Sequence, residues 1–496
     1  MNNSKEFINK AKKFYKDQNL FEAKLQLNLA LKCDDLEEKL KFQLYILISD
    51  VSEKINHFDD AINYLLKYLE KDKFNLKAMI SLANIYQKKR QYKESEKFYL
   101  NVLEIDKVNL IALTSVAILY ENLGQFKKAK VFYKKILEIN PKNIGVIFNL
   151  SKMNSLDLNE KLISSIKTLL EKDELDNFNS ASSYFLLSLH EKNKKDLKKE
   201  IYFLEKANLY AFKSKEKYNK QLLEYWLNII PKKIYSFTYQ NEKLYDETKK
   251  IFPIFIIGLP RSGSTLIESI ISSGRTKIEN LGETNLINWS LLNANKKDLL
   301  KPVFDNKKIF IDTDQITKNL LDILKNMNLP FDQKKNYFVE KSLENFFYLE
   351  LILKVFPNAI FLNPKRNLFD NIFAIYSQFL NDVPWSHDIE YILKYIDNYL
   401  ITIKYFKKKF PNKIFSFSFE DFTNNPKIFS QKIFKFCKLE WDMKSLQYYK
   451  RNDLYSKTAS NNQIRDGVKR YDKKKYSKYK EILNDYVDQY DWLVNL

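Results

Sequence analysis

Along the first half of the chain, apolar positions recur at three- and four-residue intervals between charged ones. Ala78-x-x-x-Leu82-Ala83-x-x-Tyr86, a short turn, then Tyr92-x-x-Ser95-x-x-x-Tyr99-x-x-x-Leu103 predicts two amphipathic helices. The pattern repeats. Phe58, Tyr92 and Phe126 are spaced 34 residues apart, as are Ala61, Ser95 and Ala129, and as are Asn75, Asn109 and Asn143. Asp72, Asp106 and Asn140 keep the same register, with Pro141 after the last. A small residue at 61, 95 or 129 allows paired helices to approach closely, and the aromatics beside it fill the groove. Further on the pattern shortens. Ile254-Phe255-Ile256-Ile257 and Ala359-Ile360-Phe361-Leu362 are wholly apolar runs that predict buried parallel strands.

The period and its helix–turn–helix unit resemble the tetratricopeptide repeat. Three units between residues 42 and 143 carry the resemblance. A looser one spans Ala11 to Asp34, with Phe21-Glu22-Ala23 at the turn. Another covers Ser182 to Asn208, where Leu186, Leu189, Ile201, Leu204 and Ala207 keep helical spacing. The resemblance implies stacked helix pairs sharing one core, with a concave face for a protein partner. An array that only braces a second domain fits the same pattern. The segment Lys213 to Lys250 continues helical and then turns polar. The expected organisation is therefore an all-α repeat solenoid over residues 1–245 and a second domain over 251–496.

Composition narrows the chemistry. Of the chain's 496 residues, 45% are hydrophobic, enough to fill real cores. Cys33 and Cys437 stand alone, which excludes a disulfide framework and a Cys-rich zinc site. His57, His190 and His387 are far apart and give no metal signal. Residues Met1 to Tyr15 lack the apolar stretch of a signal peptide. No apolar run reaches the ~18–20 residues of a membrane span, so the expected location is cytoplasmic. A net charge of +21 raises the question of nucleic acid. The lysines, however, are interleaved with Glu and Asp, a usage bias of the whole chain; no nucleic-acid partner is expected, and small anions remain reasonable ligands. Glycine and arginine are the scarce residues, seven of each. Four glycines (Gly258, Gly263, Gly274 and Gly282) fall in one short stretch.

That stretch follows the first apolar run: Gly258-Leu259-Pro260-Arg261-Ser262-Gly263-Ser264-Thr265, then an apolar helical pattern from Leu266 to Ile271. Strand, Gly-bearing loop and helix aim backbone N–H groups and a positive helix end at a phosphate. The spacing is that of a P-loop, but Ser264 stands where a Walker lysine would be, which disfavours a kinase or ATPase. The run Pro260 to Leu266 resembles the 5′-phosphosulfate loop of sulfotransferases that use 3′-phosphoadenosine 5′-phosphosulfate (PAPS). It is most similar to the tyrosylprotein type and to bacterial proteins that join such a domain to tetratricopeptide repeats. The resemblance extends from residue 251 to about 485 and implies an α/β, P-loop-like domain with a central parallel sheet.

The same resemblance implies roles. Arg261, Ser262, Gly263, Ser264, Thr265 and Leu266 form the donor loop. Gly282-Glu283-Thr284 is similar to the segment whose Glu serves as catalytic base, and Lys341, in Val339-Glu340-Lys341-Ser342, fits the active-site lysine. Arg366, after the second strand, matches the 3′-phosphate arginine; the serine expected eight residues on is Ala374. In Phe417-Ser418-Phe419-Glu420-Asp421, Phe419 replaces the family's Tyr and keeps a face for adenine packing. Thr458 to Gly467 looks like the segment that closes on the nucleotide, with Arg465 placed for the 3′-phosphate and Gly467 at its turn. In a chain that nearly always uses Lys, Arg366 and Arg465 point to a need for a planar two-pronged donor. Arg275 and Arg470 read as surface residues, and Phe346-Phe347-Tyr348 as core. The expected activity is PAPS-dependent sulfuryl transfer, without a metal, to a peptide tyrosine, glycan or small-molecule hydroxyl. Catalysis would rest on Glu283, Arg261 and Lys341, and adenosine 3′,5′-bisphosphate would be released. The alternative is a non-catalytic repeat scaffold with a degenerate nucleotide domain, which Ala374 and Phe419 both favour.

Overall fold

The computed structural model describes residues 3–17, 19–153, 156, 158–294, 309–327, 329, 335–451, 453–472 and 474–494. The chain forms two compact units. One comprises residues 1–121, 125–141 and 318–330; the other comprises 122–124, 142–317 and 331–496. No described helix is long and apolar enough to cross a membrane.

Helix pairs build the first unit, and their boundaries keep the period read from the sequence. Helices α1 (Ser4–Lys16) and α2 (Leu20–Ala30) precede α3 (Glu38–Lys54) and α4 (Phe58–Lys71). Next come α5 (Leu76–Lys88), α6 (Tyr92–Ile105), α7 (Leu110–Asn122) and α8 (Phe126–Ile139). The recurrent asparagines have a direct cause: Asn75 Oδ1 accepts the backbone N–H of Ala78 at 3.0 Å, and Asn109 Oδ1 that of Ala112 at 3.1 Å. Each satisfies a donor that the first helical turn leaves open. The turns inside the pairs repeat as well. Asn56, Arg90 and Gly124 all adopt left-handed backbone, with φ of 61°, 65° and 71°. Ala61, Ser95 and Ala129 are fully buried, as close helix approach requires. Phe58, Leu65, Leu82, Ile85 and Val102 fill one shared core.

The second unit begins with further helices: α9 (Ile144–Lys152), α10 (Glu160–Glu171), α11 (Asn177–Lys194), α12 (Leu197–Lys213) and α13 (Glu216–Glu224). The hairpin α11–α12 buries Leu186, Leu204 and Ala207, whereas Leu189 faces solvent. A π-turn at Tyr225–Ile229 follows, then a strand that the sequence pattern did not disclose: β1 (Phe237–Gln240) pairs in parallel with β4 (Ile309–Asp312). The main sheet holds β2 (Ile251–Ile256), β3 (Glu279–Gly282), β5 (Asn336–Glu340), β6 (Ile360–Lys365) and β7 (Ile414–Ser418). Their order is β3-β5-β2-β6-β7, and every pairing is parallel. The central strand of such a sheet is covered on both faces, which is why β2 and the start of β6 read as apolar runs.

Helices α9–α13 share this unit with the sheet. Asn208 on α12 donates to the Tyr376 carbonyl at 3.1 Å and faces His387 Nδ1 at 3.2 Å. Tyr225 and Tyr348 meet hydroxyl to hydroxyl at 2.7 Å, and both hydroxyls lie within hydrogen-bond distance of Asn288 Oδ1, so that their two protons are shared among three oxygens. The ring of Phe379 packs against Phe148, Phe178 and Phe185. Strand β1 already precedes residue 245, and by compactness helices α9–α13 go with the sheet.

Candidate functional site

Strand β2 lies at the centre of the sheet, between β5 and β6, so the loop after it opens at the point where the strand order reverses. Ligands of open α/β sheets bind at such crevices. The Ile257 N–H donates to Leu362 and the Gly258 N–H to Leu343, at 2.9 and 3.1 Å. Gly258 has φ 131°, and a Cβ there would lie 2.9 Å from Asn363 Oδ1. Arg261 holds φ 65°, a left-handed conformation uncommon outside glycine and a mark of functional loops. Gly263, with φ 93°, precedes the helix Ser264–Ile271.

Two side chains brace the loop from β6 and the helix after it. Asn371 donates to the Pro260 carbonyl at 2.6 Å, and Arg366 Nη1 to the Arg261 carbonyl at 3.2 Å. Ser262, Ser264 and Thr265 are buried. Four polar atoms here are buried with no hydrogen-bond partner: the donors Ser262 Oγ, Arg261 Nε and Arg366 Nε, and the acceptor Asn371 Oδ1. Orphaned donors around a helix N-terminus fit a ligand rich in anionic oxygens. A partly open cleft of about 140 Å³ adjoins them, lined by Leu259, Ser262, Arg366, Asn371 and Tyr399 among others. Leu266 turns instead toward the core beneath the sheet.

The C-terminal segment lies across the loop. Arg261 donates to Ser460 Oγ at 2.6 Å and to Gln463 Oε1 at 3.2 Å, and Thr265 meets Thr458 hydroxyl to hydroxyl at 3.2 Å. Burial lowers the Arg261 pKa from its ordinary value. Arg465 belongs to this segment, and its Nε, like those of Arg261 and Arg366, is buried with no hydrogen-bond partner. Its guanidinium donates to the Leu454 carbonyl at 2.6 Å and to Asn461 Oδ1 at 3.0 Å, so it fastens its own segment. Burial pushes its pKa down to about 10. Arg366 is met instead by Tyr471 and Tyr476, whose ring centroids lie 5.1 and 5.3 Å from the guanidinium carbon. Sequence reasoning passed over both tyrosines; their only signal is two aromatics in a lysine-rich stretch. Gly467 has φ 78°, and a Cβ there would lie 3.3 Å from the Tyr449 ring. The Phe419 ring covers Gly263 so closely that a Cβ would come within 2.3 Å of it. Ala374 is buried and offers no hydroxyl.

On the other side of β2, one buried cation is surrounded by acids. Gly282, with φ 66°, turns the chain out of β3 and presents Glu283. The Lys341 backbone N–H donates to the Gly282 carbonyl at 2.9 Å, which ties the ends of β3 and β5 together. The fully buried Lys341 ammonium lies 2.5 Å from Glu283 Oε1 and 3.6 Å from Glu268 Oε2. Burial alone would lower the Lys341 pKa, but Glu268 and Glu283 outweigh it and keep the ammonium charged. Beside it, Glu340 accepts from Asn345 Nδ2 at 2.7 Å, Thr284 Oγ1 at 3.0 Å and the Ser342 N–H at 3.0 Å. Burial raises its pKa against these bonds. Burial also pushes the Glu344 carboxyl up to about 7. Glu268 and Glu344 were not singled out from sequence. Glu268 had one signal: it is the sole charged residue in the apolar helix that starts at Ser264.

The candidate site thus combines a parallel sheet, a loop with orphaned donors at its central strand, an arginine beside that loop and a buried lysine–carboxylate pair. Residues 253–443 match the sulfotransferase family, and residues 78–107 and 112–143 each match the tetratricopeptide repeat. The chain therefore carries a sulfotransferase-family domain together with tetratricopeptide repeats. It is similar to an uncharacterised protein of Aquifex aeolicus (strain VF5), 27% identical over 361 residues. That match covers 70% of this chain and 46% of the other, so the chain spans about half the length of the curated relative it matches. Solved structures with partial likeness include a tetratricopeptide repeat protein from Parabacteroides merdae ATCC 43184, at 18% identity and TM-score 0.32; it covers 43% of this chain and 92% of that one. Another is the sulfotransferase domain of the Synechococcus PCC 7002 olefin synthase, at 14% identity and TM-score 0.34, covering 48% and 91%.

Proposed function

We propose that the second unit transfers a sulfuryl group from PAPS to an acceptor hydroxyl. The observation that carries this reading is the juxtaposition of two features on one short helix. Its N-terminus carries the cradle with the orphaned Ser262 and Arg261 atoms, and its Glu268 contacts the buried Lys341. PAPS supplies the sulfuryl group and leaves as adenosine 3′,5′-bisphosphate.

The loop N–H groups and the hydroxyls of Ser262, Ser264 and Thr265 hold the phosphosulfate end. Arg261 and Lys341 stabilise the charge that grows on the 5′-phosphate oxygen as the sulfur–oxygen bond breaks, an effect of fixed charge in a water-poor site. Arg366, with the Tyr471 and Tyr476 rings beside it, reaches the 3′-phosphate without the serine hydroxyl that Ala374 lacks. Phe419 offers a face to the adenine. Arg465 and Gly467 shape the closing segment. Glu283 accepts the acceptor proton as the new oxygen–sulfur bond forms; its exposed side chain opens toward solvent, where an acceptor can enter. The repeats supply a surface for a peptide acceptor or a protein partner.

Calorimetry with adenosine 3′,5′-bisphosphate tests the reading. The wild-type protein is expected to bind in the micromolar range, and Arg261→Ala and Arg366→Ala each to weaken binding by at least about tenfold, the scale of losing a charge-assisted hydrogen bond. Absence of binding by the wild type overturns the proposal. Binding without labelled-sulfate transfer to cell extract supports the scaffold reading, which Ala374 and the seating of Phe419 on Gly263 favour.

A further inference from the structure

Lys341 and Glu283 present a conflict. A lysine that neutralises the leaving oxygen must remain charged and in place throughout the reaction. A glutamate that accepts a proton must give up its ion pair with that lysine, now 2.5 Å away, because a protonated carboxyl no longer compensates the ammonium. If Glu283 were the sole partner, its turn toward the acceptor would leave an uncompensated ammonium in a fully buried position, and such a charge is costly.

Glu268 resolves this. It sits on the second turn of the helix that begins at Ser264, four residues beyond the cradle, and its side chain is almost as buried as that of Lys341. Helical geometry directs residue 268 back over the first turn, on the same face as Ser264. Its Oε2 lies 3.6 Å from the lysine nitrogen, on the loop side, whereas Glu283 approaches from the end of β3. The charged groups facing Lys341 are Glu268 from the loop helix, Glu283 after β3, Glu340 beside it on β5 and Glu344 in the following turn. Glu340 is committed to Thr284, Ser342 and Asn345. Glu268 alone both touches the ammonium and belongs to the element that carries the donor cradle.

We propose that Glu268 is a positioning residue, the standing counter-ion that keeps Lys341 charged and aimed at the donor loop when Glu283 turns to the acceptor. The assignment rests on the sulfotransferase reading above, and the test separates the two. Full-length wild type, Glu268→Gln and Glu268→Asp are labelled with an amine-acylating reagent across pH 7–11, and the Lys341 peptide is quantified by mass spectrometry against the other lysines. Acylation requires the neutral amine. Loss of one nearby negative charge is expected to raise Lys341 labelling at pH 9 about tenfold, the equivalent of one pKa unit. Glu268→Asp keeps the charge and stays close to wild type, and the other lysines do not change. In the sulfate-transfer assay, the alkaline limb of the Glu268→Gln rate moves to lower pH, a shift that a purely structural role would not produce. Because Lys341 is fully buried, the overturning result is an alkaline limb that does not move in Glu268→Gln together with unchanged Lys341 labelling. Bisphosphate binding by the wild type, measured alongside, decides the donor reading separately.

Discussion

Gly263 shows how one residue type can be imposed from two directions. Its φ of 93° disfavours any side chain, and a Cβ would collide with the Phe419 ring at 2.3 Å. Gly263→Ala is therefore expected to lower the thermal midpoint and to abolish bisphosphate binding. Removing the ring as well, in Gly263→Ala/Phe419→Ala, recovers only part of the stability, because the backbone strain remains; full recovery would show that the collision was the whole effect. At this scale the sequence was informative where scarcity had singled residues out. Gly258, Gly263, Gly282 and Gly467 all take left-handed backbone, and Arg261 and Arg366 meet at the loop. It was uninformative where a common residue acquires its role through a distant neighbour. Glu268 and Tyr476 look ordinary until Lys341 and Arg366 come beside them. Arg465 shows both sides of its scarcity: one prong of its guanidinium holds the Leu454 carbonyl, while its Nε is buried with no hydrogen-bond partner.

Among the elements, the repeat helices were the most legible, since a 34-residue period records local requirements only. Asn75 caps α5, so Asn75→Ala should cost about 1 kcal/mol, read as an earlier onset of helix loss in a denaturant titration followed by circular dichroism. An unchanged transition would show that the cap bond is replaced by water. The short strand β1 escaped notice because Phe237–Gln240 is only four residues long and half-buried, with no sustained alternation. The turn after β5 carries a different prediction. Burial holds the Glu344 carboxyl up at about 7, with Glu340 and Glu283 adding repulsion. A carboxyl with a raised folded-state pKa stabilises while it is protonated. That contribution is lost as pH rises from the ordinary glutamate range toward 7. Glu344→Gln should accordingly raise the thermal midpoint relative to wild type more at pH 8 than at pH 5. An equal effect at both pH values would place the Glu344 carboxyl in water.

For the whole molecule, the change from helical period to apolar strands located the two architectures, and the fold class followed from it. The compact units could not be read in the same way. Helices α9–α13 look in sequence like more of the array, yet their partners lie far along the chain: Asn208 with Tyr376, Tyr225 with Tyr348, Glu200 with Lys478 and Tyr479. No periodicity records a contact of that span. The placement joins repeat-like helices to the domain that holds the candidate site, so substitutions on α12 belong among those to assay for catalysis. The order β3-β5-β2-β6-β7 also has a consequence in time. Helix pairs close on neighbours a few dozen residues away and can form soon after synthesis. Strand β2, by contrast, lies between partners that follow much later, and the sheet edge is complete only when Ser418 has emerged. At ordinary translation rates the apolar run Ile251–Ile256 waits on the order of five to twenty seconds for the strands that flank it. In that interval the nascent chain exposes an apolar strand without its partners, and synthesis in the cell should depend on chaperones that cover it.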